Sequence, residues 1–368
     1  MTKGTVLIAA GGTGGHLFPA SALASALTAR GYRVELATDS RVERYRAGFP
    51  AEKVHLVEAG TITGKSRLAA PMAAVQLGRG YFQSLGILRA ARPVVAAVGF
   101  GGYPTAPPLV AARTLGIPVI LHDANAVLGL ANRMLARIAT AVATSVPDPE
   151  GLGPAKARAV LTGNPVRPAV IAASATPYRT PEPGGRLSLL VFGGSQGARV
   201  FADVVPPALA LLSPDERARI DLVQQVRDED AERVGAALTA AGIHAETAPF
   251  FSDLPDRIAA AQIVVGRSGA STVAELATIG RPSLLIPLPI ARDQDQAKNA
   301  AVMAKAGAAT VMAQSGFTPA ALADFLRAAL ADPARLGAEA AAARALSHAG
   351  AAERLADLVE AVAAGRVA

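Results

Sequence analysis

The chain has 368 residues, too many for one ordinary compact core, so two domains are expected. It is 51% hydrophobic and only 4% aromatic, which describes an alanine-rich globular protein and excludes a disordered one. The absence of cysteine excludes disulfides and thiolate metal sites, and the formal charge of +7 fits phosphates, anionic lipid surfaces or nucleic acid as partners, or simply a soluble surface.

In chain order, "MTKGTVLIAAGG" opens with a short apolar run that ends in glycines, which is a buried strand and not a signal peptide. The segment "FPASALASALTARG" follows with apolar positions at helical spacing, and Gly31 stops it. Further strands are read at "YRVELATD", "PVVAAVGF", "IPVILHDAN" and "ATAVATSV". The longest uncharged stretch, Pro93–Ala112, has the length of a membrane span, but Gly99, Gly101, Gly102, Pro104, Pro107 and Pro108 break any helix through it. Thr162–Arg186, rich in Pro and Gly, reads as an interdomain linker, after which the pattern restarts in "LSLLVFGGSQGARVFADVVPPALALL". "AQIVVGRSGASTVAELATIG" and "PSLLIPLPIA" each join a strand to a small-residue turn, and "AEAAAARALSHAGAAERLADLVEAVAA" is helical. Strands alternating with helices predict an α/β chain of two Rossmann-like, doubly wound domains with a cleft between them. The expected limits are 1–163 and 164–345, with a C-terminal helix in 346–368 that packs back on the first domain.

Three strands run into glycine-rich or small-residue turns that open helices: Gly11–Gly15, Gly193–Gly197 and Arg267–Thr272. Such a turn presents free backbone N–H groups at the positive end of a helix dipole, and glycine lets a phosphate approach them closely. A charge at a helix end is worth about 0.3–1 kcal/mol, whereas micromolar affinity needs about 8 kcal/mol. Side chains must supply the rest. Arg167 in "GNPVR" suits a diphosphate, and Glu275 in "STVAELA" suits two ribose hydroxyls unless it is only a solvated helix residue.

Other phosphate and metal signatures fail. There is no G-x-x-x-x-G-K-[ST], and "GGTGGH" does not satisfy G-x-G-x-x-G because the last position falls on Leu17. An NAD reading therefore rests on Glu35 alone. Asp293-Gln294-Asp295 reads as a solvated loop more readily than as a metal pair, and the histidines at 16, 55, 122, 244 and 348 form no H-x-x-x-H.

The motifs "GGTGGHLFPA", "GFGGYPTAPPLVAA", "HDANAVLGLANR", "TGNPVR", "GGSQGAR", "RSGASTVAELATIGRPSLLIPLP" and "DQDQAKNA" resemble, in order along nearly the whole chain, the bacterial peptidoglycan transferases that add N-acetylglucosamine to lipid I. The resemblance implies the two-domain GT-B fold, inversion at the anomeric carbon, no cofactor and no metal. It makes the N-terminal domain the acceptor and membrane-facing one, and the C-terminal domain the UDP-sugar-binding one. By position it places Thr13, Gly14, Gly15 and Asn125 at the donor sugar and diphosphate of UDP-N-acetylglucosamine, with Arg167 and Ser195 facing the diphosphate. Phe251 would pack on uracil. Ala270, Ser271, Thr272, Val273, Ala274 and Glu275 would form the helix start over phosphate and ribose, with Gln296 and Asn299 near the sugar. Three departures stand out: His122-Asp123-Ala124-Asn125 replaces the family's His-Glu-Gln-Asn, Asp295-Gln296 replaces a glutamine pair, and Gln224-Gln225-Val226-Arg227 has lost the glycine of an "HQ-T/S-G" turn and receives no role.

His16 ends the first glycine turn and is the candidate catalytic residue, as a general base for the acceptor hydroxyl, as a donor to phosphate, or as a plain hydrogen bond at a helix start. The acceptor would be a polyprenyl-diphosphate-linked muramoylpentapeptide, which implies a peripheral protein on the cytoplasmic face of the cell (inner) membrane. Lys65, Arg67, Arg79, Arg89 and Arg92 among apolar residues suit an anionic membrane surface, or equally the solvated face of a core helix. A UDP-sugar transferase acting on diacylglycerol, an NAD-dependent dehydrogenase and a nucleotide or nucleic-acid binder are the alternatives. The last lacks a basic patch interleaved with aromatics, so no nucleic-acid partner is expected.

Overall fold

The computed structural model describes residues 3–11, 13–44, 48–60, 69–91, 93–194, 196–290 and 292–366. These divide into two compact units, one of Met1–Arg167 with His348–Ala368 and one of Pro168–Ser347. The first division thus falls after Arg167 instead of residue 163, and the second after Ser347 instead of 345.

The first unit begins with β1 (Thr5–Ala9), α1 (Gly14–Ala29), β2 (Arg33–Thr38), β3 (Lys53–Leu56) and α2 (Ala69–Ala90). It continues through β4 (Val94–Gly99), α3 (Ala106–Thr114), β5 (Val119–Asp123), α4 (Leu130–Leu135), β6 (Ala141–Thr144) and β7 (Ala159–Leu161). Among the described residues its seven strands are all parallel, in the order β3-β2-β1-β4-β5-β6-β7. Successive residues of β1 feed opposite layers: Val6 and Ile8 pack with α1, while Leu7 and Ala9 join the layer that holds Leu85, Leu88 and Leu109 of α2 and α3. Burial on both faces is why these strands read as continuous apolar runs.

The second unit comprises α5 (Pro168–Ala173), β8 (Leu187–Phe192), α6 (Arg199–Ala210), α7 (Pro214–Ala218), β9 (Ile220–Gln225), α8 (Ala231–Ala240) and β10 (Ala245–Ala248). Then follow α9 (Leu254–Ala260), β11 (Ile263–Gly266), α10 (Ala270–Ile279), β12 (Ser283–Leu285), α11 (Asp295–Lys305), β13 (Ala309–Val311), α12 (Pro319–Ala331) and α13 (Pro333–Ala345). Its six strands among the described residues are again all parallel, ordered β10-β9-β8-β11-β12-β13.

The last helix, α14 (Ala351–Ala363), belongs to the first unit. Its Leu355, Val359 and Val362 enter the α1 layer. Arg30, which ends α1, pairs with Glu353, Asp357 and Glu360 at 2.5, 2.7 and 3.0 Å. These carboxylates recur at spacings of four and three, so one helical face presents all of them to a single guanidinium.

Candidate functional site

In a doubly wound sheet, ligands bind beyond the C-terminal strand ends where the strand order reverses. In the first unit that point lies between β1 and β4. The turns after these strands are stitched together, since Gly11 N–H donates to Gly101 O at 3.1 Å. Gly101 and Gly102 adopt φ of 90° and 82°, a region that a side chain rarely tolerates.

These glycines make a wall for His16, in the first turn of α1. A Cβ on Gly101 would stand 3.3 Å from Cδ2 and Nε2 of the ring, and one on Gly11 would stand 3.1 Å from Nδ1. Nδ1 also lies 3.1 Å from Thr13 Oγ1. Burial, with help from the Arg41 charge and against that of Asp39, lowers the His16 pKa to about 4. The imidazole is therefore neutral at neutral pH and keeps one lone pair and one N–H. Helix α1 has no acidic residue in its first turn and no side-chain cap at Thr13, so its end is open to an anion. Arg167 stacks its guanidinium 4.5 Å from the centroid of the Phe18 ring, in the same first turns of α1.

Asn125 follows β5 and is held by its altered neighbour. The buried Asp123 carboxylate accepts from Asn125 N–H at 3.0 Å and from the Asn125 side-chain amide at 3.4 Å. It also accepts from Gly129 N–H, which starts α4, at 2.9 Å and from Asn132 Nδ2 at 3.0 Å. Burial raises the Asp123 pKa while these bonds oppose the rise. Asp123 thus closes the loop on itself and fixes where Asn125 points. His122 is wholly buried, donates from Nε2 to Gly163 O at 3.1 Å and is held neutral with a pKa of about 4 by burial. Asn132, which sequence reasoning gave no role, has a buried Oδ1 with no hydrogen-bond partner among the described residues. Its only prior signal was its place in "HDANAVLGLANR".

The reversal in the second unit lies between β8 and β11, and the two remaining small-residue turns follow these two strands. Gly193 and Gly197 are required for steric reasons: a Cβ on Gly193 would meet Ala198 N at 2.4 Å, and Gly197 has φ of 67°. Ser195 lies outside the described residues. After β11, Gly269 caps α10 with no side-chain cap hydrogen bond and no acidic residue in its first turn, a helix end whose dipole favours an anion. Ser271 Oγ there is buried and finds no partner among the described residues. Ala270, Ser271, Thr272, Val273 and Ala274 are half-buried, and Glu275 is 5% exposed, which excludes a solvated helix residue.

Helix α11 joins this end through Ser268, whose hydroxyl donates to Gln296 O at 2.8 Å and whose carbonyl accepts from Asn299 Nδ2 at 3.3 Å. Gln296 Oε1 accepts from Leu288 N–H at 3.0 Å. Gln296 and Asn299 are therefore gathered at the start of α10. Arg267 faces elsewhere, bonded to Ile286 O, Pro287 O and Gln314 Oε1. Phe251 departs from its expected role as a free packing face. It is 7% exposed and its ring already carries the Arg257 guanidinium at 4.2 Å, itself held by Glu246 and Asp253 at 2.7 and 2.8 Å. Phe250, 66% exposed, is the ring left available in that loop. Among the described residues, no three His, Asp or Glu side chains gather as a metal site.

Two doubly wound parallel sheets with small-residue turns at their reversals have the architecture of two Rossmann-like domains, and the family matches make the chain a glycosyltransferase. The glycosyltransferase family 28 N-terminal domain matches residues 6–144 and the family 28 C-terminal domain matches residues 188–355, and the chain belongs to this family. It is 55% identical to the UDP-N-acetylglucosamine--N-acetylmuramyl-(pentapeptide) pyrophosphoryl-undecaprenol N-acetylglucosamine transferase of Rhodopseudomonas palustris strain BisA53, over 97% of this chain and 96% of that protein. The like-named protein of Agrobacterium fabrum strain C58 is 50% identical, over 100% of this chain and 96% of that one. Among solved structures, Acinetobacter baumannii MurG superposes with a TM-score of 0.78 at 30% identity, covering 97% of this chain and 99% of that one.

Proposed function

We infer that the chain transfers N-acetylglucosamine from UDP-N-acetylglucosamine to the C4 hydroxyl of the muramoyl sugar of undecaprenyl-diphospho-muramoylpentapeptide, with inversion. The observation that carries this reading is that the likeness to transferases of that name runs through both units, so donor and acceptor halves are accounted for together.

In this reading the second unit holds UDP and the first supplies the chemistry. The acceptor oxygen attacks the anomeric carbon from the face opposite UDP. The new C–O bond forms as the bond to the β-phosphate breaks, and the hydroxyl proton passes to His16. A neutral imidazole is ready to accept it. General base catalysis of this kind contributes about 10²–10⁴-fold. Charge growing on the leaving diphosphate is met by the N–H groups at the start of α10 and by Arg167, and such preorganised electrostatics are usually the largest catalytic contribution. Glu275 accepts from the ribose, Asn125, Gln296 and Asn299 hold the sugar, and Phe250 packs on the base.

Incubating the protein with radiolabelled UDP-N-acetylglucosamine and a lipid I analogue tests this directly. The expected product is the disaccharide lipid. Label transferred to diacylglycerol and not to lipid I would replace the acceptor and sink the assignment.

The acceptor's polyprenyl tail calls for a membrane-bound enzyme, although no helix of the described residues is long and apolar enough to cross a bilayer. Helix α2 supports docking by its surface. Ala73, Leu85 and Leu88 face the core, whereas Met72, Val75 and Phe82 are 67, 56 and 71% exposed beside the exposed Arg79 and Arg89. A purely solvated basic face would not carry three large apolar side chains. Lys65, Arg67 and Arg92 lie outside the described residues. Basic side chains gain about 1 kcal/mol each at an anionic surface, and the apolar ones partly insert. In flotation, the protein is expected to rise with anionic vesicles far more than with zwitterionic ones; equal binding to both would remove the electrostatic part.

A further inference from the structure

Two buried glutamines stand side by side at the end of β9, and they do different things. Alternation along the strand sends them to opposite faces. Gln224 is fully buried toward α6, where its amide donates to Phe201 O at 3.3 Å and its Oε1 has no partner among the described residues. Gln225 is 7% exposed and spends its amide on three backbone groups at once. Its Oε1 accepts from Gly193 N–H at 3.0 Å, and its Nε2 donates to Gly194 O and to Pro249 O, each at 3.0 Å.

These partners lie on two separate segments. Gly193 and Gly194 begin the glycine turn after β8, and Pro249 immediately precedes Phe250 and Phe251. Because β9 lies between β8 and β10 in the sheet, the turn and the loop flank the end of β9 on either side. A single primary amide braces one against the other. It also takes the first N–H of the glycine turn for itself, so that N–H belongs to the scaffold. Arg227 completes the brace: its Cγ lies where a Cβ on Gly197 would come within 2.7 Å, while its guanidinium is tied to Asp230 at 2.6 Å.

We propose that Gln225 is a positioning residue for nucleoside diphosphate binding, setting the phosphate-side turn and the base-side loop at a fixed separation. This rests on the reading that the second unit binds UDP. No other side-chain type matches the pattern. A carboxylate at this position lacks both donors and would face two carbonyl oxygens, an aliphatic residue leaves three backbone groups unpaired, and asparagine is one methylene short. Since the brace acts on the nucleotide and not on the reacting carbon, its loss is expressed in donor affinity.

The test measures UDP binding by calorimetry, and donor KM and kcat, for the full-length wild type, Gln225→Ala, Gln225→Glu and Gln224→Met. Wild type binds UDP. Gln225→Ala and Gln225→Glu are expected to weaken UDP by about tenfold or more and to raise donor KM by a similar factor, with a much smaller change in kcat. Gln224→Met lowers or shifts the melting temperature as a core change does, yet keeps UDP affinity within about twofold. Unchanged UDP affinity in both Gln225 variants overturns the proposal while the assigned function stands. So does a loss in Gln224→Met that matches Gln225→Ala at equal melting temperature, because the effect would then be mere destabilisation. A wild type that binds no UDP overturns the functional reading itself.

Discussion

The two strand-order reversals use the same local architecture for different ends. At the β1–β4 reversal, glycine backbone is packed against a titratable ring, His16, and against a loop governed by the buried Asp123 carboxylate. At the β8–β11 reversal, the described turn residues place no histidine or carboxylate against the glycines; Arg267 is spent on Ile286 O, Pro287 O and Gln314 Oε1, and Glu275 is buried farther along α10. A proton acceptor placed by rigid glycines suits bond making, while fixed amides suit an anion that must be held and then released. The duplicated fold therefore divides its labour by what each turn places against the same backbone geometry.

Removing the ring attacks this contrast most strongly. His16→Ala and His16→Gln are expected to lower kcat by about 10²–10⁴-fold while leaving UDP affinity intact. Near wild-type turnover in both would take the base role away from His16. The pH profile sharpens the point. Burial disfavours the imidazolium, so the pKa falls from 6.5 to about 4, and only the neutral form accepts a proton. kcat/KM should thus stay level as pH drops through 6.5 and fall only as it passes about 4. An acid limb centred near the ordinary histidine value would contradict the half-buried, glycine-walled setting.

A methyl group on the wall is the next largest disturbance. Gly101→Ala forces a side chain onto a residue with φ of 90° and within 3.3 Å of the His16 ring. Displacing the base in this way should cost about ten- to a hundredfold in kcat with little change in donor affinity; a loss confined to donor KM would show that the wall belongs to nucleotide binding instead. The converse change in the other unit is smaller. Glu275→Ala should raise donor KM by about tenfold through the lost charged hydrogen bonds, with kcat falling less. An unchanged KM would mean that its buried carboxylate serves the fold and not the ribose.

Much of this was legible in neighbouring residues. The alternation of apolar runs with helical stretches gave the parallel sheets, because a strand buried on both faces must be apolar throughout. The glycine clusters mark turns between strands and helices, and Gln296 and Asn299 both bond to Ser268, just before α10. Other features had no local signal. Nothing near His16 announces that Gly101 and Gly102 will wall it, since only the pairing of β1 with β4 joins those turns. Phe251 and Phe250 are chemically identical, and the one that is buried was chosen by Arg257 packing over its ring. Gln225 was passed over because the glycine two residues beyond it was missing, although its own three bonds depend on a turn and a loop from elsewhere in the chain.

Whatever depends on the conformational freedom, polarity or periodicity of adjacent residues could be read directly: the element types, the open helix ends, and the absence of acid from them. Which of those ends share a reversal, which ring loses its solvent and which carboxylate steers Asn125 followed only from strand order and packing. Hydrogen bonding and desolvation act over a few ångströms, and residues distant in the chain come that close only once the sheet has formed.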